Sequence, residues 1–436
     1  MRLLTTYIQE RVGSVASFLI GQPTSQQPVE EPPLPLLRRR RVADPRLDER
    51  PTDPSTLQIT CPDPTAEDSL RDHHINRAQF LTRQERWTDL SAAIKEADDA
   101  RELTPGCMSV SELLAYGARA DVVLAAEHAL YFGKPAKGAP LMSGIEALEH
   151  VLAEHKGDPI ISSVIAQAYI DIAWSWRGTG WDIEVPARNR AAFAAHFDRA
   201  HSIMAKVHPE HRQTPLVAAT FCALLGGLKE RSRRVSDRYE SLIDLNHSDP
   251  RPMRALGNHL LPRWYGSYEE LELEARRTAS RTQDTWGAGG YTWVQFDAIA
   301  CDDRACANLD VPFFTEGLRD ILERRPNPYT ANLLASYCAN ALGQTYSGND
   351  RADLNRAQIA DCAGWIVREH LTELHPMIWA HAARGFDNNL RIRSPARFAA
   401  SGRADAQRII LGLFSREIAN GKRVVFTEDG PVVQAS

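Results

Sequence analysis

Ala173-Trp174-Ser175-Trp176-Arg177-Gly178-Thr179-Gly180-Trp181 closes one long run of helical periodicity, and Leu260-Leu261-Pro262-Arg263-Trp264-Tyr265-Gly266-Ser267 closes another. A tryptophan beside a glycine turn joins and locks antiparallel helices. The ring fills the wedge between them, and glycines such as Gly178, Gly180 and Gly266 take positive-φ conformations that a side chain resists. The two stretches therefore speak of architecture. Around them, Ile161, Ile165, Ala168, Ile172 and Trp176 repeat at helical spacing, as do Val217, Phe221, Leu224 and Leu228, and then Ile359, Ala363, Ile366 and His370.

Each apolar stripe needs a neighbouring helix to cover it. Helix starts are marked by a polar residue followed by proline at Asp158-Pro159, Thr214-Pro215, Asp249-Pro250 and Asn327-Pro328, and Ser267 with Glu270 has capping-box spacing. The proline-marked starts lie roughly 56, 35 and 78 residues apart, and the last two intervals are close to one and two helical-hairpin repeats. No segment matches the tetratricopeptide consensus position by position. The pattern over residues 65 to 420 therefore predicts an all-α fold, an irregular, tetratricopeptide-like α-solenoid of antiparallel helical hairpins, right-handed and curved. Gly287-Ala288-Gly289-Gly290 reads as a turn between helices. Lys422 to Phe426 reads as the one strand, within a C-terminal tail of residues 421 to 436.

Residues 3 to 19 read as an isolated amphipathic helix inside an N-terminal docking element of residues 1 to 20, with Leu4, Ile8, Val12, Val15 and Leu19 on one face. Residues 21 to 64 are dense in proline and contain Arg38-Arg39-Arg40-Arg41, which predicts a disordered tether. The apolar stripe needs a cover. A partner groove, a membrane surface reached together with the arginine run, and the chain's own helical body are the three readings.

The 436 residues are 43% hydrophobic and 25% charged, with a net charge of -5, which gives no general reason to expect nucleic acid. The seven cysteines are scattered and lack Cys-x-x-Cys spacing, which fits a reducing compartment. No apolar run suits a membrane-spanning helix, and Tyr7, Gln9, Glu10 and Arg11 interrupt what a secretory leader would need to be apolar. The expected location is the cytoplasm.

Ala173 to Gly180, the amphipathic stretch with Phe193, Phe197 and Ala200, and Leu260 to Ser267 together resemble an uncharacterised bacterial family of helical-hairpin domains. Its members look like tetratricopeptide-type solenoids with Arg-Gly-x-Gly and Leu-Pro-Arg-Trp-x-Gly turns. The resemblance covers about Ile160 to Ala279. It implies the same helical-repeat fold and carries no catalytic residues to this chain.

Candidate chemistry is sparse. Nucleophile elbows, phosphate loops and dinucleotide fingerprints are missing, and no His-Glu-x-x-His occurs among Asp72-His73-His74, His208-Pro209-Glu210-His211, His150 with Glu154, or His370 with Glu373 and His375. Cys301 to Cys306 sets two thiols near two carboxylates, but a helix through the segment would turn the thiols apart. No catalytic residue, metal ligand or cofactor is expected. Arg177, Trp181, Arg263, Trp264 and Tyr265 have the composition of a binding patch, weighed against tryptophans packed between hairpins. The expected function is a protein-interaction or scaffolding module for a protein or peptide partner. The alternatives are an enzyme with a pocket between hairpins and a membrane-peripheral adaptor held by the N-terminal helix.

Overall fold

The computed structural model describes residues 56 to 139, 141 to 178, 185 to 227, 235 to 264, 266 to 342, 347 to 386 and 392 to 435. These residues are mostly helical. The first half holds α1 (Ala66–Arg83), α2 (Trp87–Asp99), α3 (Val110–Ala129), α4 (Ser143–Glu154), α5 (Pro159–Arg177), α6 (Ala187–Met204), α7 (Pro215–Ala223) and α8 (Val235–Leu245). There follow α9 (Arg251–His259), α10 (Tyr268–Arg281), α11 (Gln283–Trp286), α12 (Gly289–Cys301), α13 (Asp303–Asn308) and α14 (Val311–Arg324). The last third holds α15 (Pro328–Ser336), α16 (Asp350–Ala360), α17 (Cys362–His370), α18 (Pro376–Ala382), α19 (Pro395–Leu413) and α20 (Ser415–Ala419).

The starts follow the polar signposts. Asp158 caps α5 by accepting from the Ile160 and Ile161 N–H groups, Asn327 caps α15 through the Thr330 N–H, and Ser267 caps α10 through the Glu270 N–H. At Asp249-Pro250 the helix begins one residue later, because Pro250 itself stands at the N-cap. The α5 stripe of Ile161, Ile165, Ala168, Ile172 and Trp176 is buried throughout. It belongs to one core with Leu90, Leu114 and Phe197, while a second core gathers Ile243, Leu256, Val294, Phe314, Leu334 and Ile410.

The glycines divide by mechanism. Gly178 ends α5 at φ 68 as the turn reading requires, and Gly287 takes φ 57. Gly266 is different: it has no positive φ, and a Cβ there would lie 2.2 Å from the Leu260 carbonyl oxygen, so close backbone approach excludes a side chain. Gly289 and Gly290 are not part of a turn but open α12, where Gly290 lets its backbone press against Ala279 and Thr282.

A small sheet is built around the strand expected at Lys422 to Phe426 and adds two strands to it. β2 (Lys422–Thr427) is its central strand, antiparallel to β3 (Gly430–Ala435) and parallel to β1 (Leu57–Gln58). The end of the expected tether is thus built into the body. Leu57 and Ile59 are buried, Leu57 pairs with Val424, and the Thr60 carbonyl accepts from the Leu374 N–H at 2.8 Å. Proline density concealed a short period-two segment, whose parallel partner lies at the far end of the chain as a long crossover permits. Residues 1 to 55, with Leu4, Ile8, Val12, Val15, Leu19 and the arginine run, lie outside the described residues.

A chain starting at Thr65 is expected to be less stable than one starting at Thr56, by about 3 kcal/mol or more, because it loses two buried aliphatic side chains. Urea denaturation of the two truncations checks this, and equal midpoints would refute it.

Candidate functional site: an aromatic and cationic edge

The first Trp/Gly turn lies where α5 meets α6. Trp174 packs edge-on against Phe193 and Phe197, at centroid distances of 5.0 and 6.0 Å, because a helix of such residues has one face to cover. Arg177 is half-buried, with its guanidinium carbon 6.0 Å from the Trp174 centroid and Nη1 donating to the Gly178 carbonyl at 3.3 Å. Arg188 is exposed and lies 5.5 Å over the Trp176 ring. The neighbouring Asn189 is buried and donates from Nδ2 to the Trp176 carbonyl at 2.7 Å and to the Gly133 carbonyl at 2.9 Å. It thereby fastens the α3 to α4 connection to this edge. Trp181 lies outside the described residues.

The second turn joins α9 to α10 and faces inward. Arg263 donates from Nη2 to the Cys301 thiol at 2.9 Å, and Trp264 is half-buried, packed against both cores, with its ring 6.3 Å from that of His259. Tyr265 lies outside the described residues. Arg177 contacts Trp174 and Gly178 of its own turn, whereas Arg263 and Trp264 reach other helices.

The thiols at the α12 to α13 junction sit in separate surroundings. No continuous helix runs through them, because Asp302 is extended at φ -142 and ψ 116 and caps α13. The Cys301 thiol donates to the Asp297 carbonyl, and burial pushes it up to about 11 although Arg263 pulls it down. Burial likewise pushes the Cys306 thiol up to about 11. Both stay protonated near neutrality and behave as small hydrophobes. His150 and Glu154 are exposed, and His208 and His211 flank Glu210 on the surface at 3.4 and 3.5 Å. Among the described residues no three His, Cys, Asp or Glu side chains converge on a metal position.

The buried ionisable groups tie helices together. Arg119 on α3 meets Asp171 on α5 at 2.7 Å, and Arg254 on α9 grips Asp297 on α12 with two bonds of 2.7 Å. Asp98 at the end of α2 accepts from the Ser111 hydroxyl at 2.8 Å and from the Leu216 N–H at the start of α7 at 3.1 Å. Burial raises its carboxyl from 3.8 to about 6 despite these bonds. His259 donates to or accepts from the Tyr239 hydroxyl at 2.8 Å, and burial lowers its ring to about 3, so it is neutral at physiological pH.

Open clefts among the described residues include two. One, of about 570 Å³, runs between α10, the start of α14 and α16, and is lined by Glu272, Arg276, Asp310, Arg351 and Leu354, of which Leu354 is 58% exposed. The other, of about 460 Å³, lies between α1 and α2 beside Phe80, also 58% exposed. Neither was legible in the sequence, because an exposed leucine in a helical stripe resembles a buried one. Phe132 on the α3 to α4 connection was likewise missed, although Phe132-Gly133-Lys134-Pro135 breaks the helical period and was open to reading as a loop with one aromatic. No family model matches this chain, and no match was found among curated proteins or solved structures.

Trp264→Ala is expected to lower stability by about 3 kcal/mol, since truncating a tryptophan at the meeting of two cores leaves a cavity in both. An unchanged denaturation midpoint would overturn the structural assignment. Asp98 supplies a pH test. Its folded-state pKa lies above the unfolded value, so its contribution is fully present below about 3.8 and is lost as pH rises through about 6. Relative to Asp98→Asn, the natural chain should lose up to about 3 kcal/mol between pH 4 and pH 6.5 and nothing further above that, as read by urea denaturation across pH.

Proposed function

We propose that the chain is a protein-interaction or scaffolding module whose helices stack as an irregular, tetratricopeptide-like array of antiparallel hairpins. Packing between near neighbours supports the array: α3 lies on α1 and α5, α6 on α5, α12 on α10 and α14, and α19 on α18. The pairing of β1 with β2 adds that the two ends of the array meet.

The observation that carries the interaction reading is the open cleft between α10, α14 and α16. It offers the exposed Leu354 among Glu272, Arg276, Arg351 and Gln358, an apolar anchor point within a polar rim, which suits an extended peptide or partner helix. The buried charges described above are engaged with one another and hold helices, which leaves surface recognition as the chemistry the exposed groups offer. Residues 3 to 19 are a second docking element on this reading, with Leu4, Ile8, Val12, Val15 and Leu19 as its apolar face and the tether carrying it away from the body. All seven cysteines are unpaired, which supports a reducing bacterial cytoplasm. No helix among the described residues is long and apolar enough to cross a membrane.

Affinity capture from extracts of the source cells tests the proposal, with the natural chain, Leu354→Glu and a chain starting at Thr56 compared side by side. A protein retained by the natural chain should be retained at least tenfold less by Leu354→Glu at an unchanged melting temperature. Identical retained sets for all three forms would end the interaction reading.

A further inference from the structure

Phe132, in the connection from α3 to α4, is 83% exposed, more than any other large apolar side chain among the described residues. The base of this connection is fixed. Gly133 N–H donates to the Leu130 carbonyl and Ala136 N–H to the Ala129 carbonyl, both at 2.8 Å, and the buried Asn189 holds the Gly133 carbonyl from α6. The Tyr131 ring meets that of Phe132 edge-on at 5.0 Å. Space is open beside the backbone of Gly133 and Gly138, where a Cβ would meet nothing within 4 Å.

Three exposed cations lie on or beside this connection. Lys134 and Lys137 are exposed on the same connection, and Arg188 is exposed on the adjoining start of α6, over Trp176. Among the described residues none of the three pairs with a carboxylate, although the chain as a whole is acidic. The exposed apolar side chains of this connection, Phe132 and Met142, cover far less than the about 800 Å² that a protein interface buries on each partner. A lipid surface asks for less: an apolar side chain at the level of the acyl boundary and cations level with the headgroups.

We propose that the α3 to α4 connection is a membrane-surface contact, in which Phe132 enters the interface of an anionic bilayer while Lys134, Lys137 and Arg188 meet the lipid headgroups. This site is separate from the cleft at Leu354 and stands without it.

The test is co-sedimentation of the full chain with vesicles of phosphatidylcholine alone and with vesicles containing about a quarter phosphatidylserine. Binding should favour the anionic vesicles. Phe132→Ser and the double change Lys134→Gln with Lys137→Gln should each lower it roughly tenfold or more, at an unchanged melting temperature, because every altered side chain is exposed. Leu354→Glu should leave it unaltered, which separates this proposal from the interaction reading. Absent binding, binding indifferent to lipid charge, or binding untouched by both loop variants overturns the proposal. A protein lost from the chain by Phe132→Ser while vesicle binding persists would assign the tip to a protein partner instead.

Discussion

Arg251 can lie buried only because two carboxylates from different parts of the chain meet it. Its Nε donates to Asp249 at 2.9 Å and its Nη1 to Glu112 on α3 at 2.6 Å, across 139 residues of sequence. Burial alone would lower the guanidinium's affinity for its proton, and the attraction of Asp249 and Glu112 outweighs that and holds it charged. The connection from α8 to α9 collects further ties at this point. The Leu245 carbonyl accepts from Arg101, the His247 carbonyl from the Trp286 indole at 2.6 Å, and the Ser248 hydroxyl from Arg325 at 2.8 Å. Segments from α2 to α14 are thereby held against one short stretch.

This hub ties together segments that belong to different hydrophobic cores. Apolar contact is non-directional and would allow the α1 to α7 layer to slide over the rest. Hydrogen bonds to a buried charge have fixed geometry and leave an unpaired ion if broken, so they select one arrangement. Trp264 acts beside them by filling the space where the cores meet. The β1 to β2 pairing closes the opposite side by bringing residue 57 to residue 424.

The same division bears on function. Several buried charges hold helices together, while burial keeps the Cys301 and Cys306 thiols protonated and His259 neutral. The most exposed apolar side chains among the described residues include Leu354 in an open cleft, Phe80 between α1 and α2, and Phe132 on the connection from α3 to α4. On the proposed reading, these separate apolar points are where other molecules would be held.

The sequence by itself determined the helical character, several helix starts and the glycine at the end of α5. Asp158-Pro159 and Asn327-Pro328 cap their own helices, and the Ile161 to Trp176 stripe marks its own buried face, because local hydrogen bonds and a 3.6-residue period are written within a few neighbouring positions. The tertiary structure alone decided that Leu57 belongs to a sheet, that Gly266 is needed for a close approach to Leu260, that Arg263 turns inward to Cys301, and which apolar side chains stay in water. Leu57 and Arg263 depend on partners tens or hundreds of residues away, Gly266 on the turn folding back over six residues, and the exposed side chains on the lack of a partner. Local patterning carries no term for such pairings, because they arise only when packed helices bring distant segments within reach.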